Sequence, residues 1–167
     1  MEKKVYYEWR KGLAHIEETY YTIRITPYEK NLDVWRQLWR TIEKSEILVQ
    51  IVDGRDPLFY KCEDLENYVK EIDPHKYNFL LINKSDLLSD KVRKRWNQYF
   101  IKNNINHMFF SAMLEQSKIN EELMGDLNLQ IEDELLNTPT IASRRNLLMS
   151  LNKIVTEIRK VRISEFK

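Results

Sequence analysis

Asn83-Lys84-Ser85-Asp86 and Ser111-Ala112 are the two clusters in this 167-residue sequence whose residue types can read a ligand. An ionised carboxylate only accepts hydrogen bonds, so Asp86 can take one from the N1–H and another from the 2-amino group of a guanine, whereas adenine has no donor at N1. Asp86 would then set the base preference. The aliphatic stem of Lys84 can lie over the ring face, and the Asn83 amide can tie its loop and reach the base edge. The Ala112 backbone N–H, following Ser111, can bond guanine O6, and the small side chain lets the backbone come close. Asn, Lys and Asp are also ordinary turn residues after a strand, so the elements that carry the two clusters decide between the readings.

Ile47-Leu48-Val49-Gln50-Ile51-Val52 is a mainly β-branched run closed by Asp53-Gly54-Arg55-Asp56-Pro57, which predicts a buried strand and a turn. Phe79-Leu80-Leu81-Ile82 predicts a second strand that runs straight into Asn83, and His107-Met108-Phe109-Phe110 a third that runs into Ser111. Helices are expected over residues 63–72, stopped by Pro74, and over about 89–103. Strands alternating with helices through short links predict parallel crossovers, hence an α/β three-layer parallel sheet. Ligands of such sheets bind beyond the carboxyl ends of the strands. Both clusters fall there, which favours the base-site reading.

Towards the N-terminus, Trp9, Leu13 and Ile16 recur at helical spacing and predict a helix within residues 5–18. Thr26-Pro27-Tyr28-Glu29 has the form of a capping box with proline at the first helical position, so a second helix is expected from there. It would pack Leu32, Trp35, Leu38, Trp39 and Ile42 into a core along one stripe. Beyond Leu114 the charge splits: residues 115–136 hold seven acidic groups against Lys118, and residues 139–167 hold seven basic groups against Glu157 and Glu165. The second block carries an apolar stripe of Leu147, Leu148, Leu151, Ile154, Val155, Ile158 and Val161, a helix whose stripe needs a partner surface. The expected organisation is an N-terminal helical region over 1–45, an α/β unit over 46–114, an acidic linker over 115–138 hinged at Asn137-Thr138-Pro139, and a basic amphipathic helix over 139–167.

Composition narrows the class. With 43% apolar and 32% charged residues the chain should fold, and a net charge of +1 gives no overall pull towards nucleic acid. The single cysteine, Cys62, cannot close an internal disulfide, and no Cys/His cluster has metal-ligand spacing. No apolar run is long enough to span a membrane, and Met-Glu-Lys-Lys-Val-Tyr-Tyr lacks the apolar core of a signal peptide, so a cytosolic or nuclear protein without membrane contact is expected, and the cytoplasm is the compartment that the resemblance described below implies. The glycines, Gly12, Gly54 and Gly125, include no pair five apart, so the sequence holds no Gly-x-x-x-x-Gly-Lys-Ser/Thr loop to cradle phosphates. Trp9, Ile51 and Glu122 stand three places before them, so there is no Asp-x-x-Gly either.

Base-reading motifs with nothing phosphate-binding before them are the order found in circularly permuted GTPases. Over residues 6–114 the sequence resembles the eukaryotic cytoplasmic large-subunit GTPases of that class. The resemblance runs through Tyr7-Glu8-Trp9-Arg10-Lys11-Gly12-Leu13-Ala14-His15, the tryptophan-rich stretch from Thr26 to Arg40, Val49-Gln50-Ile51-Val52-Asp53-Gly54-Arg55-Asp56-Pro57-Leu58, Asp64-Leu65-Glu66-Asn67-Tyr68-Val69-Lys70-Glu71, and Leu81-Ile82-Asn83-Lys84-Ser85-Asp86-Leu87-Leu88. Gly54 stands where the family usually has Ala. The resemblance implies part of a permuted P-loop GTPase fold, GTP or GDP as ligand, and magnesium only together with the phosphate-binding half. It also implies late cytoplasmic maturation of the large ribosomal subunit, contact with that subunit and its RNA, and release of the nuclear-export adapter. Family members continue into a phosphate loop and switch regions, so these residues represent a fragment or a naturally reduced relative, and the chain alone should not hydrolyse GTP. The rival reading is a non-catalytic ribosome-binding or assembly module derived from that GTPase.

Other candidates carry less. Asp53 and Arg55 match the family's Asp-Ala-Arg-x-Pro turn and either support the site or form a turn-stabilising ion pair. His15, His75 and His107 have no partner spacing and read as structural or exposed. Arg93, Lys94 and Arg95 could meet ribosomal RNA phosphates, although a solvated helix face is the commoner arrangement.

Overall fold

The computed structural model describes residues 2–20, 27–123 and 135–165. They fall into two compact units, residues 1–44 and 45–167. In the first, helix α1 (Glu2–Thr19) and helix α2 (Leu32–Lys44) are joined by an aromatic cluster. The Trp9 ring meets those of Tyr28 and Trp35 edge-on at 5.5 and 5.6 Å, and the Tyr6 hydroxyl donates to the Lys30 carbonyl.

The start of α2 differs from the sequence expectation. Residues 27–31 are not helical, and Thr26 lies outside the described residues. The Glu29 carboxylate accepts from the Asn31 N–H at 2.6 Å, and the Asn31 side chain accepts from the Asp33 N–H at 2.9 Å. Asn31 is therefore the cap, and Glu29, which the capping-box pattern placed inside the helix, helps to orient that cap from outside.

The second unit is built on four parallel strands in the order β1 (Ile47–Asp53), β2 (Tyr77–Asn83), β3 (His107–Phe110) and β4 (Ile141–Ala142). The links contain α3 (Pro57–Tyr60) and α4 (Glu63–Ile72), then α5 (Asp90–Lys102), then α6 (Ala112–Leu123), and α7 (Arg144–Glu165) follows β4. Both faces of β2 and β3 are covered, as parallel strands require. On one face Val52, Leu80, Ile82 and Phe109 pack with Phe100 and Trp96 of α5. On the other, Phe79, Leu81, Met108 and Ala142 pack with Leu147 and Leu151 of α7. This is the expected three-layer α/β architecture.

Helix ends fix the loops that matter. Asn104 at φ 55° closes α5 in the left-handed region, with the Ile105 N–H bonded to the Phe100 carbonyl at 2.9 Å. Ser143 opens α7 with a reciprocal cap, because the Asn146 side chain accepts from the Ser143 N–H while the Ser143 hydroxyl accepts from the Asn146 N–H. The C-terminal helix thus begins at Arg144, and residues 141–142 add a strand to the sheet before it. On α7, Ile154 and Ile158 are buried, whereas Leu148 and Val161, read as part of the same stripe, are 60% and 48% exposed.

Candidate functional site

The parallel register places Asp53 beside Asn83 at the carboxyl ends of β1 and β2. Ser111 follows the end of β3, one strand further along. The sequence-predicted residues therefore emerge at one end of three adjacent strands, and hydrogen bonds join most of them.

Ser111 is fully buried and works in two directions. Its hydroxyl accepts from the Leu114 N–H at 3.2 Å, capping α6, and donates to Asp86 Oδ1 at 2.5 Å. That bond holds the carboxylate in place and leaves Oδ2 with no donor among the described residues. Asp86 sits in a 3-10 turn, Ser85–Leu87, whose buried Ser85 hydroxyl donates back to the Ile82 carbonyl at 2.6 Å. The turn is reached through Lys84, held at φ 60° and ψ 29° in the left-handed region, an uncommon state for a side-chain-bearing residue and one that concentrates at functional sites.

Asn83 Oδ1 accepts from the Ala112 N–H at 3.1 Å. The loop-tying role read for Asn83 is thus made with the donor read for guanine O6. A base at this point would have to share the Ala112 N–H with Asn83, or find the Asn83 amide rotated.

Lys84 takes a path the sequence does not reveal. Its ammonium lies 3.0 Å from Asp53 Oδ2 across 31 residues of chain, and Arg55 Nη2 lies 2.6 Å from the same oxygen. The Arg55 N–H also donates to Asp53 Oδ1 at 3.0 Å, closing the turn locally. Asp53 and Arg55 therefore form the turn ion pair and, through Lys84, contact the cluster as well. The hydrogen bonds from Arg55 first, and from Lys84 with them, hold the Asp53 carboxyl far below the usual carboxylate range.

Arg93 does not belong to an outward-facing basic patch. Its side chain is 14% exposed and its guanidinium donates to the carbonyls of Ser85, Leu88 and Pro139, besides pairing with Asp90. Lys94 and Arg95 are exposed. Among the described residues no group of three His, Cys, Asp or Glu side chains could hold a metal ion, and no helix is long and apolar enough to cross a membrane.

The chain is 46% identical over 168 residues to the protein named GTPase LSG1-2 of Arabidopsis thaliana, covering 98% of this chain and 28% of the relative. It is 51% identical over 127 residues to the Large subunit GTPase 1 homolog of Bos taurus, covering 76% of this chain and 19% of the relative. The chain is homologous to one segment of the large subunit GTPases. Large subunit GTPase 1 of Saccharomyces cerevisiae agrees, at 51% over 112 residues, 67% of this chain and 18% of the relative. The chain thus spans less than a third of the length of these curated relatives. No family model matches it.

At Gly54 the backbone that leaves β1 meets the end of β2. The Gly54 N–H donates to the Asn83 carbonyl at 2.7 Å, and a Cβ there would stand 2.9 Å from that same oxygen. The missing side chain lets the ends of β1 and β2 approach closely, next to where Asp53 meets Lys84.

Proposed function

We propose that this chain is the guanine-recognising part of a circularly permuted large-subunit GTPase that binds GTP or GDP. In this reading residues 46–114 are the recognition half, residues 1–45 an N-terminal helical region, 115–138 an acidic linker and 139–167 a basic amphipathic segment. The observation that carries it is the convergence of Asn83, Asp86, Ser111 and Ala112 at adjoining strand ends, linked by the Ser111–Asp86 and Ala112–Asn83 hydrogen bonds, in a chain related to proteins whose names state GTPase activity.

Asp86 reads N1–H and the 2-amino group, Asn83 and the Ala112 N–H read the opposite edge, and the Lys84 stem covers a ring face with its ammonium anchored on Asp53. Arg55 completes that anchor. The phosphates and any magnesium would be held by elements not encoded in this sequence, which supply most of the binding energy in nucleotide hydrolases. The process served is late cytoplasmic maturation of the large ribosomal subunit, with the subunit, its RNA and the nuclear-export adapter as partners.

Support for a half-domain comes from β1, an edge strand in which only Val52 is buried and Ile51 is 67% exposed. Apolar β-branched runs of this kind normally lie covered on both sides.

Titration of the chain with guanosine, inosine and adenosine, followed by amide NMR shifts, tests the reading. Guanosine should bind most tightly and perturb residues 83–87 and 111–112. Equal affinity for adenosine would overturn it.

A further inference from the structure

Three backbone carbonyls around the base-reading turn converge on one side chain. Arg93 Nη1 donates to Leu88 O at 2.5 Å and to Ser85 O at 3.4 Å, while Nε donates to Pro139 O at 3.1 Å. Ser85 precedes Asp86, and Leu88 closes the 3-10 turn that carries it. Pro139 belongs to the segment that leads into β4, which is itself fastened to β3 where the Asn137 N–H meets the His107 carbonyl at 3.0 Å and the Asn137 side chain accepts from the His107 N–H at 2.9 Å.

We infer that Arg93 is a positioning residue for base recognition, holding the Asp86 turn against the residue 137–142 segment so that the carboxylate faces a guanine edge in one orientation. This rests on the proposed base site, and its chemistry is specific to arginine. Without Arg93 the Leu88 and Pro139 carbonyls lose this donor and the Ser85 carbonyl keeps only the Leu88 N–H, so the short turn that carries Asp86 is released from the segment at Pro139. Only a planar guanidinium can place donors on carbonyls from two separate chain segments at fixed angles. Lysine at this position would keep the charge and lose the fork. The Ser111 hydroxyl fixes Asp86 Oδ1 from the β3 side, and Arg93 fixes the backbone from the α5 side. The reading of the base is thereby coupled to the chain beyond Pro139, which the two strand-end clusters alone would not do.

The test uses the full chain and its Arg93→Ala, Arg93→Lys and Ile154→Ala variants. Inosine lacks the 2-amino group, so the ratio of guanosine to inosine affinity reports whether Asp86 is aimed correctly. Arg93→Ala should shrink that ratio at least fivefold and Arg93→Lys should recover little of it, while Ile154→Ala, destabilised at a distance, should keep the wild-type ratio. Amide exchange gives a second readout that needs no ligand. The N–H groups of Leu87 and Leu88, bonded to Lys84 O and Ser85 O, should exchange about tenfold faster in Arg93→Ala while those of β2 keep their protection. A wild-type ratio retained in Arg93→Ala would overturn the inference even with the base site upheld. If the wild type itself fails to prefer guanosine, the base-site reading falls and the aiming role falls with it; unchanged exchange at Leu87 and Leu88 would in addition show that Arg93 does not hold the turn.

Discussion

Replacing Ile154 by alanine tests whether α7 is a layer of the fold or a detachable basic arm. Ile154 is 4% exposed and Ile158 is 8% exposed, with Leu147 and Leu151 packing on Phe79, Leu81, Met108 and Ala142. Removing a buried isoleucine side chain to alanine costs about 2–5 kcal/mol, from lost transfer energy and from the cavity left behind. For a chain of this size each kcal/mol moves the melting temperature by roughly 2–4 °C, so Ile154→Ala should melt about 4–20 °C earlier. Leu148 lies on the same helix but is 60% exposed, and Leu148→Ala should stay within about 0.5 kcal/mol of wild type. Thermal and urea melts followed by circular dichroism measure both. Deletion after Pro139 goes further: it removes β4 with α7 and uncovers one sheet face, a loss comparable with the whole stability of a domain of roughly 5–15 kcal/mol. Equal, small effects of the two substitutions, or a deletion that leaves melting unchanged while salt-sensitive co-sedimentation with large subunits disappears, would refute docking and favour a free RNA-binding arm.

Four further outcomes are expected. The isolated chain should release no phosphate from GTP above buffer background, since its sequence holds no Gly-x-x-x-x-Gly-Lys-Ser/Thr loop; measurable turnover would contradict this. In a version extended through a phosphate loop, Asp86→Asn exchanges an acceptor for a donor and should shift preference from guanine to xanthine nucleotides in competition titrations. Gly54→Ala forces a Cβ to within 2.9 Å of the Asn83 carbonyl unless the strands part, and should cost about 1–3 kcal/mol in urea melts. Burial holds the His107 pKa below its ordinary value of 6.5, so the unfolded chain takes up the proton first and stability should fall as pH drops below about 6.5. His107→Gln should flatten urea midpoints measured between pH 7.5 and 5.5, and an unchanged slope would assign the effect elsewhere.

The strands, and the strand ends at which the two candidate clusters stand, were legible because apolar runs and turn residues are local signals, and a run that stops at Asn83 or Ser111 declares its own end. Less could be read where the deciding contact is distant or the element is short. The strand Ile141–Ala142 has two residues, too few for any periodicity, and exists because the preceding Asn137 pairs with His107. The stretch from Thr26 to Glu29 imitates a helix start, but the same carboxylate that completes a capping box can instead orient Asn31, and sequence spacing alone does not separate these uses. α3 was hidden inside what read as a plain turn, although Asp56 before Pro57 is a capping pair and accepts from the Phe59 N–H. For Arg93, neighbouring Lys94 and Arg95 gave the pattern of a basic surface, while its partners at Ser85, Leu88 and Pro139 come from elements whose meeting only the fold defines.

Asp53 shows why such partners matter to the site. By sequence it is a turn residue two places before an arginine, and the Arg55 pair satisfies that reading in full. Its reach to Lys84 depends on the register that sets Asp53 opposite Asn83, and on Gly54, which lets the strand ends close up. The carboxyl stays ionised far below neutral pH, so from about pH 5 upward the anchor on Lys84 does not titrate, and base affinity should be flat there until some other group changes charge. Asp53→Asn keeps the shape and removes the charge that holds the ammonium. On the proposed reading Lys84 covers the ring face and Asp86 alone meets the 2-amino group, so guanosine affinity should then weaken severalfold while the guanosine-to-inosine ratio stays. A lost ratio with unchanged affinity would mean that the Asp53 anchor aims Asp86 rather than Lys84.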